Sequence, residues 1–334
     1  MNIRLPAEWE RQRFIQLTWP HEGTDWSYMI DEVNKCFVEI AKNIVQFEDL
    51  LIVCKDEVLI RKLLRDIDTS KIRFAELPSN DTWARDHGGI TILKNGQRCV
   101  CDFTFNGWGK KYASELDNKI TAGLFRLGVF GEDTIYTDCS NLVLEGGSIE
   151  SDGNGTLLTT STCLLSANRN DMSKEEIEVQ LKSYFGLERV LWLNHGYLTG
   201  DDTDSHIDTL ARFCDENTIA YVKCDDKNDE HYEELRLMET ELQVFKTKDG
   251  KSYNLVALPM ADAVFFGDER LPATYANFLI LNDAVLVPIY NSPKDNVALK
   301  TLQEVFGDRK VLGINCLPLI KQHGSLHCVT MQYV

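Results

Sequence analysis

Near one end of the chain lies the run Gln322-His323-Gly324-Ser325-Leu326-His327-Cys328-Val329-Thr330, in which Cys328 is the residue best equipped to act as a nucleophile. The apolar alternation through Leu326, Cys328 and Val329 to Val334 predicts a strand that ties this end down. Asp86, Glu145, His206 and Cys328 stand 59, 61 and 122 positions apart, and the last interval is two steps of 61. A carboxylate, an imidazole and a thiol recurring at one period imply a repeat that aims one loop per unit at a shared centre. A thiolate attacks a flat, electrophilic carbon. Paired carboxylates grip a guanidinium through charge-assisted hydrogen bonds. The two demands meet in attack on the central carbon of a guanidinium group.

Each residue also has a plainer reading. Asp86, in Trp83-Ala84-Arg85-Asp86-His87-Gly88-Gly89, reads alone as a turn or capping carboxylate. Glu145, in Leu144-Glu145-Gly146-Gly147, reads equally as half of a buried salt bridge, since a buried carboxylate needs a partner. In Gly200–Asp208 four aspartates and His206 crowd together, so a cation is needed unless the loop is solvated. His206 and Asp208 are two apart and face one side if the segment is extended. Cys328 reads as a core thiol, the usual fate of a free cysteine. His323 and His327 beside it match no tight zinc spacing. Cys99 and Cys163 are expected to carry no role.

The elements that must position these residues follow the same period. A hairpin pattern comes after each of them, with turns at Asn95-Gly96, Asp152–Gly155, Asp215–Asn217 and Asn282-Asp283. Asn, Asp and Gly accept the positive φ that tight turns require. A fifth hairpin is split between the two termini, Arg13–Thr18 and Leu326–Val334. Amphipathic helices are predicted at Glu32–Phe47, Lys174–Tyr184, Glu233–Phe245 and Val297–Phe306, each followed by an apolar strand. The expected fold is therefore α/β: a five-fold pseudosymmetric propeller of ββαβ modules, closed by pairing of the terminal strands. A doubly wound sheet would account for the strand–helix alternation, but it leaves the hairpins and the period unexplained.

No linker or low-complexity stretch interrupts residues 1–334, so one catalytic domain is expected. A net charge of −17 argues against nucleic acid and favours a cationic small molecule. No run approaches the length of a membrane span. Met1–Phe14 lacks the apolar core of a signal peptide. Ten scattered cysteines without a CxxC pair suit the reducing cytoplasm.

Trp83-Ala84-Arg85-Asp86 with its Gly-Gly, Phe105-Asn106-Gly107-Trp108-Gly109, Leu144–Gly147, Gly200–Asp208 and Gly324–Cys328 together resemble the agmatine deiminase and bacterial-type peptidylarginine deiminase family. Trp19-Pro20-His21-Glu22 and Asp25-Trp26 add to the likeness, which covers nearly the whole chain. The resemblance implies the five-bladed guanidino-modifying fold. It implies Cys328 as nucleophile, His206 as general acid and base, Asp86 and Asp208 as guanidinium clamps, and Glu145 as the acid orienting the histidine. Trp83, Asn106 and Trp108 are then expected to line the pocket. Many relatives approach the cysteine through Gly-Gly-Gly-Asn, where this chain has Gln322-His323-Gly324-Ser325. The implied reaction converts agmatine and water to N-carbamoylputrescine and ammonia, a step toward putrescine and the polyamines, without metal or organic cofactor. Asp202 and Asp204 are expected to meet the ammonium of agmatine. Free arginine would need a cation for its carboxylate, with Arg85 and Arg212 as candidates, and peptidylarginine an open cleft. The competing reading is a binuclear manganese ureohydrolase, because Asp204-Ser205-His206-Ile207-Asp208 fits its D-x-H-x-D pattern. Any self-assembly is expected to be a homodimer.

Overall fold

The computed structural model describes residues 2–334. Its fold is mixed α/β, and one strand pattern recurs in five separate sheets. A strand pairs antiparallel with the next; the chain then crosses to a third strand parallel to the second. The units are Ile90–Lys94, Gln97–Thr104 and Ile135–Val143; Ile149–Ser151, Thr156–Thr160 and Arg189–Leu193; Ala211–Asp215, Thr218–Lys223 and Asn254–Pro259; and Leu279–Ile280, Ala284–Ile289 and Lys310–Asn315. In the fifth, Thr330–Tyr333 pairs antiparallel with Phe14–Thr18, which runs parallel to Asp49–Cys54. The chain ends thus supply the first two strands of one unit. No sheet closes on itself among the described residues.

Local chemistry explains the recurring elements. Lys94 and Gln97 pair across a two-residue turn in which Asn95 and Gly96 take φ of 51° and 81°, as a turn matched to strand twist requires. The crossover helices bury one stripe each: Ile30–Ile44 turns Val33, Phe37, Ile40, Ala41 and Ile44 inward. Lys174–Phe185 starts at a capping box of Ser173 and Glu176 and stops at Gly186 in the left-handed region.

The structure departs from the sequence expectation in several places. The last strand is Thr330–Tyr333, not Leu326–Val334, and Leu326–Val329 form a turn. The Asn277 side chain takes the backbone N–H groups of His327 and Cys328, so they are not available to a ladder. Ile207–Thr209 is a 3-10 turn, so His206 and Asp208 do not sit on an extended strand. The helices Glu57–Leu63 and Ile120–Arg126, the strand Ile72–Glu76 and the hairpin Val264–Phe266/Glu269–Leu271 were not predicted. Among the described residues, no helix is long and apolar enough to cross a membrane.

Candidate active site

Each chemically potent residue stands just ahead of a hairpin, where a unit enters its first strand. Asp86 sits on the single turn Ala84–His87 before Ile90–Lys94. Glu145 leads the turn Gly146–Ser148 before Ile149. His206 and Asp208 flank the start of Ile207–Thr209 before Ala211. Cys328 precedes Thr330. The fourth unit places Asn277 at the same point, ahead of Leu279. Asn277 thus holds the equivalent place in the fourth unit, although the 61-residue step from His206 falls on Gly267, so the period alone does not point to it.

Cys328, Asp86, Trp83 and Trp108 line a cavity of about 380 Å³. Asp86 accepts from the Trp108 indole Nε1 at 2.9 Å and from the Gly147 backbone at 3.0 Å. The Arg85 amide donates to the Cys328 carbonyl at 3.1 Å, locking the Asp86 turn to the Cys328 turn. His206 Nδ1 is 3.6 Å from Asp86 Oδ1, and its Nε2 is 3.9 Å from Glu145 Oε2. Both ring nitrogens of His206 and Oδ1 of Asp208 are buried without a hydrogen-bond partner. A Cβ on Gly147 would lie 2.6 Å from His206 Nδ1, 2.8 Å from Asp86 Oδ1 and 3.2 Å from Asp208 Oδ2. The imidazole and two carboxylates therefore converge on one glycine, which must be glycine for steric reasons alone.

Burial sets the protonation of this cluster. It raises the Asp86 carboxyl well above its ordinary range, and the nearby Asp208 and Glu145 carboxylates add to the rise. It raises the Cys328 thiol likewise, again with help from Asp208 and Asp86. It pushes His206 down to about 3. Asp208 is different. Burial opposes its charge, but hydrogen bonding to His327 and the neighbouring cations hold it below the usual range. The contact is His327 Nδ1 to Asp208 Oδ2 at 2.7 Å, and His327 Nε2 lies 2.8 Å from Glu8 Oε2. The free site thus combines a neutral thiol, a neutral imidazole and an ionised Asp208.

Arg169, which the sequence reading missed, organises the rest. Its Nε donates to both Glu145 oxygens at 2.9 Å, and its two terminal nitrogens reach Asp204 Oδ2 at 2.6 Å and the Thr203 carbonyl at 2.9 Å. The signal was indirect: a buried glutamate beside an aspartate-rich loop demands a cation. Glu145 is held in a buried ion pair and lies just beyond hydrogen-bond reach of His206. Asp204 is neutralised twice, by Arg169 and by Lys111 at 2.8 Å, so it is not free to receive an ammonium. Asp202 does face the cavity, although Tyr112 donates to it at 2.8 Å. Asn106 does not line the cavity. Its side chain turns back to cap Gly109 and to hold the Asn168 carbonyl, stabilising a loop in which Gly107, Trp108 and Gly109 all have positive φ. Cys163, expected to carry no role, has its sulfur within 4.8 Å of ligand atoms of Glu145 and His206.

The Gln322–Ser325 approach is anchored by side chains. Gln322 donates to the Asp25 carbonyl at 3.0 Å, and His323 Nδ1 lies 2.7 Å from the Gly200 carbonyl with φ at 65°. Gly324 packs so closely on Trp83 that a Cβ would lie 2.0 Å from its ring. The D-x-H-x-D motif does not form a metal site: Asp204 faces Arg169 and Lys111, while Asp208 faces His327. Among the described residues, the groups that do gather three ligand atoms, Glu145/Cys163/His206 and Glu8/Glu150/His327, already contain the guanidinium of Arg169 or Arg212.

The recurrent units thus carry a cysteine, a histidine and carboxylates on their leading loops. The chain matches the model of the Porphyromonas-type peptidyl-arginine deiminase family over residues 4–333, and it belongs to that family. A Porphyromonas gingivalis structure described as a "Putative Arginine Deiminase" is 54% identical, with a TM-score of 0.96 over 99% of this chain and 98% of its own. The Campylobacter jejuni agmatine deiminase, solved with substrate bound as a cysteine-to-serine variant, is 39% identical, with a TM-score of 0.92 over 99% and 96% of the two chains. An agmatine deiminase of Enterococcus faecalis is 30% identical, with a TM-score of 0.90 over 99% and 95%. A Pseudomonas aeruginosa dimethylarginine dimethylaminohydrolase shares the fold alone, at 11% identity and a TM-score of 0.52.

Proposed function

We propose that this chain is an agmatine deiminase, hydrolysing agmatine to N-carbamoylputrescine and ammonia. The observation that carries the reading is the convergence of Asp86, Asp208 and His206 on Gly147, in a site that also holds the Cys328 thiol. Two carboxylates match the donors of a planar guanidinium. The arriving cation offsets the acids that keep Cys328 protonated. The thiol proton passes to His206 as sulfur bonds to the guanidinium carbon. His206 returns that proton to one amino group, the C–N bond breaks and ammonia leaves. Water, deprotonated by His206, then attacks the S-linked thiouronium carbon; the C–S bond breaks and the ureido product departs. Glu145 and Arg169 act behind His206 as one fixed pair.

The cavity wall supports agmatine over arginine. It carries Asp25, Asp81, Asp117 and Asp202. Burial raises the Asp81 and Asp117 carboxyls to about 7, and neighbouring acids add to it. An ammonium would stabilise them as anions, whereas a carboxylate would be repelled. Arg212 is committed to Glu8 and Glu150, and Arg85 lines a different cavity, so neither serves an α-carboxylate. Lys111, which does line the cavity, is paired with Asp204. The family resemblance and the five-fold unit pattern further support one catalytic domain over residues 1–334. In it the five sheets stand as blades around the site, and the terminal strands close the ring. The cysteine-rich, disulfide-free composition supports work in the cytoplasm, on the route to putrescine, with a homodimer as the assembly. The test is a product assay with agmatine, arginine and an arginyl peptide, scoring ammonia and urea separately. Agmatine-dependent ammonia is expected; arginine or the peptide being turned over faster would reassign the substrate.

A further inference from the structure

We propose that Asn277 is a catalytic residue of this site: its side-chain oxygen holds Cys328 as a neutral thiol until a guanidinium arrives, and its amide fixes the sulfur's turn against Asp208. The inference rests on Cys328 being the nucleophile. Asn277 is fully buried. Its Oδ1 accepts from the His327 amide at 2.8 Å and the Cys328 amide at 3.3 Å, and lies 3.4 Å from Cys328 Sγ. Its Nδ2 donates to the Asp208 carbonyl at 3.3 Å. Two backbone donors fix which end of the amide is oxygen, because a flipped side chain would set N–H against N–H.

The consequence follows from hydrogen-bond polarity. An oxygen facing sulfur accepts from S–H and repels S⁻, so it favours the thiol. The other groups acting on the sulfur point the same way: burial first, then the carboxylates of Asp208 and Asp86. The backbone at Ser325 lowers the thiol, and so would the Asn277 amide if its N–H faced the sulfur, but the two backbone N–H groups on Oδ1 turn the oxygen to it instead. His327, next in the chain, is turned away toward Asp208, Glu8 and Arg212. A nucleophile silenced this way is spared oxidation and stray alkylation, and a guanidinium between Asp86 and Asp208 reverses the balance. The fold gives independent support, since Asn277 stands ahead of its hairpin as Asp86, Glu145 and Cys328 stand ahead of theirs.

The test separates chemical activation from simple damage. Asn277→Ala and Asn277→Ser withdraw the oxygen from the thiol; Asn277→Asp keeps one there. Iodoacetamide labelling of Cys328 in the free enzyme, followed by peptide mass, should speed up by about 2- to 10-fold in Asn277→Ala and Asn277→Ser, the scale of one lost hydrogen bond. Their kcat/KM for agmatine should fall by roughly tenfold or more, because the sulfur is no longer fixed against the clamp. Asn277→Asp should label no faster than the wild type. A purely structural role would lower turnover without speeding labelling. Labelling at or below the wild-type rate in a cooperatively melting Ala or Ser variant, or Asp labelling as fast as Ala, overturns the proposal. Cys328→Ser is run beside them: if it retains turnover, the nucleophile assignment itself has failed, whatever the labelling rates.

Discussion

Asp86 and Asp204 are both aspartates in charge-rich motifs, yet their settings are opposite. Asp86 is buried among acids and receives only neutral donors, Trp108 and Gly147. Asp204 holds two cations, Arg169 and Lys111. Substitution should separate them. Asp86→Asn and Asp208→Asn each remove one anion from a buried guanidinium, which costs about 3–5 kcal/mol, or roughly 150- to 5,000-fold in kcat/KM. Asp204→Asn should instead lower the melting temperature and leave the preference for agmatine over an alkylguanidine of similar length unchanged; a changed preference would restore Asp204 to the substrate. The protonation pattern gives a second prediction. Burial and neighbouring carboxylates raise both the Cys328 thiol and the Asp86 carboxyl in the free site, and the proposed reaction uses both as anions. The profile of kcat/KM reports free enzyme and that of kcat the complex. Because bound guanidinium stabilises both anions, the rising limb of kcat should lie at lower pH than that of kcat/KM. Coincident limbs would show that substrate does not promote ionisation.

At the scale of elements, the site is built from short turns that precede strands, and their glycines decide how closely those turns approach. Gly147 is the case nearest the imidazole: a methyl there would enter the space between His206 and Asp86. Gly147→Ala should reduce kcat/KM by roughly 100-fold, the cost of about an ångström of misplacement, while the melting temperature falls less. Gly307→Ala, where an added Cβ meets nothing within 4 Å and φ is ordinary, is the matched control and should change neither. Equal behaviour of the two variants would mean that the turn yields without disturbing His206. The hairpins and crossover helices were legible because their signals are local: turn residues at fixed offsets and a 3.6-residue apolar stripe. The terminal strand was drawn too long because its apolar alternation continues through Leu326–Val329. There a distant side chain, Asn277, captures the backbone, and no local pattern records that.

For the whole molecule, charge has two levels. The net −17 is general, whereas the cavity concentrates carboxylates where a cationic substrate must pass. Of the buried acids near Cys328, Glu145 is paired with Arg169 and Asp208 with His327, while Asp86 receives only neutral donors. Activity should therefore survive EDTA, with ammonia and not urea accumulating from agmatine. Urea formation that depends on added manganese would move the protein to the ureohydrolase class.

The sequence by itself determined the unit, its recurrence and the identity of Cys328, His206, Asp86, Asp208 and Glu145 as candidates. That was possible because a repeat writes its period into the chain, and nucleophiles, imidazoles and carboxylates beside glycines are recognisable by type. Tertiary structure alone decided their partners. Arg169 reaches Glu145 and Asp204, His327 bridges Asp208 and Glu8, and Asn277 reaches Cys328 across 51 positions. It also decided that Asp204 is occupied, and that Asn106 shapes a loop and does not touch the cavity. The physical reason is that a buried charge or amide is satisfied by whichever group packing brings within about 3 Å, and sequence separation carries no information about that distance.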